Sequence, residues 1–309
     1  MHIKNALKTL ANRLTKNYTS PSPTASQGTS APPGATVKPP VIITTRFSHW
    51  DPKAKNSWRI GRVDDEEQYK KALFDEKRLA AKFSIFEQVT LPSIAGQSDL
   101  ENVYLTLVTS EDLPEPFKKR LRQIESSYSW LSVDFVPPDG GLRHTQVVAD
   151  ICQKIGAQVY AHSRLDDDDA ISKDYAARIR RYIRPEFVGF GFSFSRGYTG
   201  YYDESRNTYH SFYDFYAAKS SCGLACISDF KPDYANDLSK VMTAYKMGDH
   251  TKIDRRRPVI MDGISPGFIY SQLPSQDTAN ARPQPKTATV PPEEVEKYFT
   301  LNRAAFHPA

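Results

Sequence analysis

Residues 159–171 read VYAHSRLDDDDAI: an apolar strand, Val159-Tyr160-Ala161, runs through His162, Ser163, Arg164 and Leu165 into four consecutive aspartates, Asp166 to Asp169. Upstream, short apolar runs alternate with amphipathic stretches. A strand is predicted at 41–45, then a helix carrying Leu79, Phe83, Phe86 and Val89, and a strand at 103–108. A helix with Phe117, Leu121 and Ile124, a strand at 131–136, and a helix with Val147, Val148, Ile151 and Ile155 complete the series up to the strand at 158–165. This β-α-β-α-β-α-β order predicts an α/β domain built on a doubly wound, mainly parallel sheet. Such sheets bind ligands at the carboxyl ends of their strands, which is where the aspartates fall.

Past Leu165 the alternation loosens, and the second half reads as mixed. A helix is expected around Tyr175, Ile179 and Ile183, a strand over 187–194, and a hairpin whose polar turn lies in the Tyr-rich stretch 198–216. A helix carrying Leu238, Val241, Met242 and Tyr245, and a short terminal helix within 293–305, follow.

Carboxylate oxygens suit Mg²⁺ or Mn²⁺, and Mg²⁺ takes only one or two protein carboxylates when a diphosphate and water fill its other positions. An EF-hand is excluded, because counting from Asp166 the sixth residue is Ile171 rather than Gly and the twelfth is Ala177 rather than Glu. A phosphatase with an aspartyl nucleophile would carry its acidic motif after the first strand, not the fourth. The remaining alternative is a solvated helix start, for which Asp169 is suited.

The ends differ in composition. Ile3, Leu7, Leu10 and Leu14 share one face of a basic amphipathic helix over 1–17, with Lys4, Lys8, Arg13 and Lys16, suited to peripheral contact with an anionic membrane or to docking on protein. A Ser/Thr/Pro-rich linker spans 18–40, and a Pro-rich linker with the terminal helix spans 283–309. The core, 41–282, is expected to fold without either tail. The formal charge of +5 falls short of a nucleic-acid-binding stripe, and three cysteines make no disulfide framework. With no apolar run long enough to span a bilayer, a cytoplasmic location, peripheral at the inner face of the membrane, is expected.

TTRFS at 44–48, RLAAKFSIFEQVTLPSIAGQ at 78–97, RLDDDDAI at 164–171 and GDHTKI at 248–253 together, in this order, resemble the putative rhamnosyltransferases of bacterial polysaccharide loci, within the GT-A glycosyltransferases. The resemblance covers roughly 41–282. It implies a GT-A-like fold in which Asp166 and Asp168 are the D-x-D residues that bind Mn²⁺ or Mg²⁺ with the nucleotide-diphosphate sugar donor. It also implies that Thr45 and Arg46 lie beside the nucleotide base, that Arg78 reaches the phosphates, and that Arg164 belongs to the donor site. His250 is a third metal-ligand candidate, although the histidine the pattern offers near 266–280 is missing here. Asp203, Glu204, Asp214 and Asp229 are unranked candidates for the base that deprotonates a saccharide acceptor, and the aromatic stretch 198–216 suggests a sugar platform. Asp167, between the two ligands, is expected to matter less.

The function expected is metal-dependent transfer of a sugar, rhamnose by the family's name, from a nucleotide-diphosphate donor to a saccharide or related acceptor. A nucleotidyltransferase on a similar sheet, or a catalytically silent saccharide-binding domain on a tether, are the alternatives.

Overall fold

A computed structural model describes residues 37–52, 61–62, 65–138, 143–274, 276 and 284–306. The basic helix proposed for 1–17 and the linker up to residue 36 lie outside the described residues. In residues 37–40, Lys38 reaches Asp99 and Glu101 (both 3.0 Å), and the Pro40 carbonyl accepts from the Ala161 N–H. The last residues assigned to the linker therefore lead directly into the sheet.

The first strand, β1 (Val41–Arg46), is a near-continuous apolar run because both of its faces are covered. Val41, Ile43 and Phe47 enter the largest core cluster on one face, with Leu79, Phe83 and Phe86. Ile42 packs on the other face with Val148, Ala149 and Cys152. β1 pairs in parallel with β2 (Val103–Ser110) and β4 (Val159–Arg164), and β2 pairs in parallel with β3 (Leu131–Val136). The connections are helical, as the spacing predicts. α1 (Glu66–Leu73), α2 (Glu76–Ile85), a π-helical turn (Phe86–Thr90) and α3 (Leu91–Ala95) join β1 to β2. α4 (Glu115–Ser127) and α5 (His144–Ile155) follow β2 and β3. α5 ends at Gly156, whose φ of 69° is the left-handed cap that glycine accepts most easily.

β5 (Ala170–Ile171) and α6 (Tyr175–Arg180) lead out of the acidic run. β6 (Gly191–Phe194), β9 (Ala225–Asp229) and β10 (Val259–Asp262) then widen the main sheet to seven strands in the order β10-β6-β9-β4-β1-β2-β3. β9 is antiparallel to both of its neighbours, whereas β10 and β6 are parallel. The result is the α/β architecture expected, mainly parallel with a mixed second half.

The predicted hairpin is β7 (Arg196–Asp203) and β8 (Thr208–Tyr216), which joins β11 (Phe268–Gln272) and β5 in a second sheet, β5-β11-β7-β8. Three expectations change. The strand expected over 187–194 begins only at Gly191, after a 3₁₀ turn at Pro185–Phe187. The helix expected at 238–245 is replaced by 3₁₀ turns at Pro232–Asn236 and Ala244–Met247, because Val241 and Ala244 are drawn into separate clusters. The terminal helix is split into α7 (Pro292–Glu296) and α8 (Arg303–Phe306).

That terminal segment is also not a loose tail. Val295, Phe299, Ala305 and Phe306 are buried in the core of the second sheet with Tyr198, Tyr202, Tyr209 and Phe212. The Tyr298 carbonyl accepts from Lys173 N–H, the Asn302 N–H donates to Gln88, and a Cβ on Gly96 would stand 2.4 Å from Thr300. Proline-rich composition hides this packing, since four spaced apolar residues are enough to close the core. Ending the chain at residue 289 exposes those apolar partners, at ~1.5–3 kcal/mol for each large side chain. Urea unfolding should therefore show a loss of more than ~4 kcal/mol; an unchanged midpoint would detach the segment from the core.

Candidate functional site

Four elements meet at the carboxyl end of β4. In register, Thr44 of β1 pairs with Arg164, and Leu165 N–H donates to the Thr44 carbonyl (3.2 Å). The acidic run therefore leaves the sheet beside the end of β1, where Thr45 and Arg46 lie. Thr45 is buried with its hydroxyl unpartnered.

Within the run the four carboxylates alternate. Asp167 and Asp169 are buried, at 3% and 1% exposure, whereas Asp166 and Asp168 are half-buried. Asp167 is held by Lys82 of α2, whose Nζ lies 2.7 and 2.9 Å from its two oxygens, both side chains being 5% exposed. Asp169 accepts from the Ser271 N–H of β11 (2.9 Å), while its second oxygen is buried without a partner. Burial first, and the carboxylates of Asp168 and Asp166 next, push Asp169 well above the usual carboxylate range. The Ser271 hydroxyl donates to the Asp168 carbonyl (2.5 Å) and pairs with the Tyr209 hydroxyl (2.7 Å), so the second sheet clamps the backbone of the run.

Arg164 stands 3.9 Å from Asp166, and its Nε is buried without a partner. His250 is half-buried in the field of Arg164, Asp249 and Asp166; burial, followed by Arg164, pulls it below the ordinary histidine value. His250 thus lies within electrostatic reach of Asp166. Among the described residues, no group of three or more His, Cys, Asp or Glu forms a ready-made metal cage. Two half-exposed carboxylates instead suit a cation that takes most of its ligands from a diphosphate and water. Arg78 is engaged inside the fold, donating to the Ser48 hydroxyl (3.1 Å) and the Leu73 carbonyl (2.6 Å). There it braces the turn after β1, where Ser48 adopts a φ of 44°.

A ring cluster, which the sequence reading missed, adjoins the end of β1. Ala244 N–H donates to His162 Nδ1 (3.0 Å), which leaves the imidazole proton on Nε2 to donate to the Thr44 hydroxyl (3.0 Å). Burial, then His144, lowers His162 to about 3. Fixed by that bond, the next residue, Tyr245, donates to the Thr44 carbonyl and lies under the Arg46 guanidinium at 5.5 Å and beside His144 at 5.0 Å. Besides the His144–His162 ring pair, eighteen residues apart, only contacts more than eighty residues apart build this group, so no local pattern announces it.

The base candidates do not converge. Asp229 pairs with Val159 at the start of β4, five residues, or ~17 Å, from Arg164. Asp203 accepts from Ser205 N–H (2.9 Å), Ser205 Oγ (2.6 Å) and Arg206 N–H (3.2 Å), a turn-forming role that, through Ser205 first, lowers its pKa. Glu204 sits in the same exposed turn, and Asp214 faces Arg196 at 3.4 Å while 65% exposed. Of the rings in 198–216, Tyr198, Tyr202, Tyr209 and Phe212 pack the second core, whereas Tyr201, Tyr213 and Phe215 occupy the other face of the sheet.

The family described as "Putative rhamnosyl transferase" matches residues 41–285. The chain belongs to that family. No curated protein matches it significantly. Among solved structures it is similar to S. aureus TarS residues 1–349 in complex with UDP, at 7% identity and a TM-score of 0.39, covering 76% of this chain but only 61% of that one. It is also similar to a Bacillus anthracis protein described as a glucose-1-phosphate thymidylyltransferase, in complex with a sucrose (10% identity, TM-score 0.33, 74% and 88% covered). At these scores the fold rests on the sheet topology itself.

For stability, the structure gives Asp167 a larger part than its neighbour Asp166. Asp167→Asn removes the carboxylate charge that faces the buried Lys82 ammonium through both oxygens, so it should cost ~3–5 kcal/mol in denaturant unfolding. Substitution of the half-exposed Asp166 should cost far less.

His144 is lowered to about 4, by burial first and then by Lys246 and Arg46. Because its folded value lies below its unfolded one, its stabilisation is complete above pH ~6.5 and is lost as the pH falls toward 4, at up to ~1.4 kcal/mol per pH unit. His144→Gln should flatten the decline of unfolding free energy between pH 6.5 and 4.5 by nearly one proton; an identical slope would place the imidazole in water.

Proposed function

We propose that this chain is a metal-dependent glycosyltransferase that moves a sugar, rhamnose by the family's name, from a nucleotide-diphosphate donor to a saccharide or related acceptor. The observation that carries the reading is the alternation at the end of β4: Asp167 and Asp169 turned inward, and Asp166 and Asp168 left half-exposed beside Arg164 and the end of β1. Family membership over residues 41–285 supports the same reaction class.

The residues fit a divalent cation such as Mn²⁺ or Mg²⁺, since the half-exposed Asp166 and Asp168 offer oxygen ligands. Such an ion, when bound, neutralises negative charge on a departing diphosphate. Arg164, with an unsatisfied Nε, is placed to donate to a phosphate oxygen. Arg46, Tyr245 and Thr45 at the end of β1 would receive the nucleoside, the tyrosine ring fixed in place by His162. Burial favours the neutral form of the inward-turned Asp169, which lessens its repulsion with the carboxylates beside it. A cytoplasmic location, with peripheral membrane contact through residues 1–17, belongs to the same reading; among the described residues no helix is long and apolar enough to cross a membrane.

Incubation with a panel of nucleotide sugars and Mn²⁺ should release free nucleoside diphosphate. Release of pyrophosphate from a sugar phosphate and a nucleoside triphosphate would instead mark a nucleotidyltransferase, and metal-dependent binding without turnover would mark a silent binding domain. Asp168→Ala should lower turnover by at least ~10²-fold, a loss of ~3 kcal/mol in transition-state stabilisation, with little change in thermal melting. Wild-type turnover in that variant would remove the acidic run from the chemistry.

A further inference from the structure

A buried ion pair is a costly way to stabilise a fold. Two apolar side chains of similar volume are often as stabilising or more so, because neither has to be taken out of water. Lys82 and Asp167 are nonetheless both 95% buried by side chain, and the ammonium spans both carboxylate oxygens. What the pair provides is direction.

Four adjacent carboxylates repel one another and have no intrinsic preference for which of them faces solvent. Neutralising one from below breaks that degeneracy. Asp167 turns in toward Lys82, and in the turn that Asp169 N–H closes by donating to the Asp166 carbonyl (3.3 Å), with Asp167 and Asp168 at its centre, Asp166 and Asp168 are left half-exposed. Lys82 itself is rigidly held. Its helix buries Leu79, Phe83 and Ile85 around it, and the π-helical turn that follows is tied through the Gln88 carbonyl to Asn302. Such turns recur next to functional positions.

We propose that Lys82 is a positioning residue for the donor and cation site: its ion pair with Asp167 holds that carboxylate inward and so sets Asp166 and Asp168 toward the ligand. The identity of the ligand rests on the glycosyltransferase reading above, whereas the orientation of the run rests on the pair itself.

The test uses the full chain with Lys82→Met alone, and with Lys82→Met and Asp167→Leu combined, so that the double variant removes both charges of the pair. Thermal melting, amide hydrogen exchange at 165–171, and titration with Mn²⁺ plus UDP are compared with wild type. The double variant should melt within a few degrees of wild type, exchange at 165–171 at least tenfold faster, and bind Mn²⁺ with UDP at least tenfold more weakly. Unchanged exchange and unchanged binding at an unchanged melting temperature would overturn the proposal. Loss of protection throughout the chain would overturn it as well, by showing the pair to be general fold stabilisation. If wild type itself ignores Mn²⁺ and UDP while exchange at 165–171 still rises selectively in the double variant, the orienting role stands and the donor reading falls.

Discussion

The buried charge pair of Lys82 with Asp167 joins two parts of this molecule that have to agree if the site is to exist. One partner comes from the helix packed on the main sheet, the other from the loop that leaves the sheet toward the second one. In water an ion pair contributes little, but at 5% exposure on both sides the loss of either partner removes the counter-charge from a group in a medium that solvates ions poorly. The loop is fixed from its other side by Ser271, whose N–H and hydroxyl hold Asp169 and the Asp168 backbone. Between these two anchors the half-exposed carboxylates have little freedom, which is what preorganised cation binding requires.

The main sheet was legible in the sequence because its signals are local. The apolar runs in 41–46, 103–108, 131–136 and 159–164 have the length and β-branched content of buried parallel strands, and α2, α4 and α5 carry their apolar stripes at helical spacing. The acidic run was legible for a related reason, since a strand end followed by carboxylates needs no tertiary knowledge to locate. Which of the four aspartates faces out was not derivable from spacing; only the resemblance pointed to Asp166 and Asp168. The deciding groups are Lys82, eighty-five residues upstream, and Ser271, about a hundred downstream.

The same distinction explains the misreadings. Around Tyr245 an apparently helical spacing dissolves into 3₁₀ turns because His162, buried in β4, captures the Ala244 N–H that a helix would have used. Residues 290–306 read as a proline-rich appendage, yet their apolar side chains complete the second core, and their backbone binds Lys173 just beyond the acidic run. The folded unit therefore extends past the residues that carry the family resemblance. The base candidates were selected by residue type alone, and the structure scatters them over a turn, an exposed strand and the far end of the sheet.

The central claim is that Asp166 and Asp168 together form a cation site completed by a donor diphosphate. Anomalous diffraction at the manganese edge from crystals grown with Mn²⁺ and UDP tests it without depending on any acceptor. One manganese peak within coordination distance of both the Asp166 and Asp168 carboxylates, and of the diphosphate, is the predicted result. A peak elsewhere, or UDP bound at the end of β1 with no manganese beside either aspartate, would contradict it.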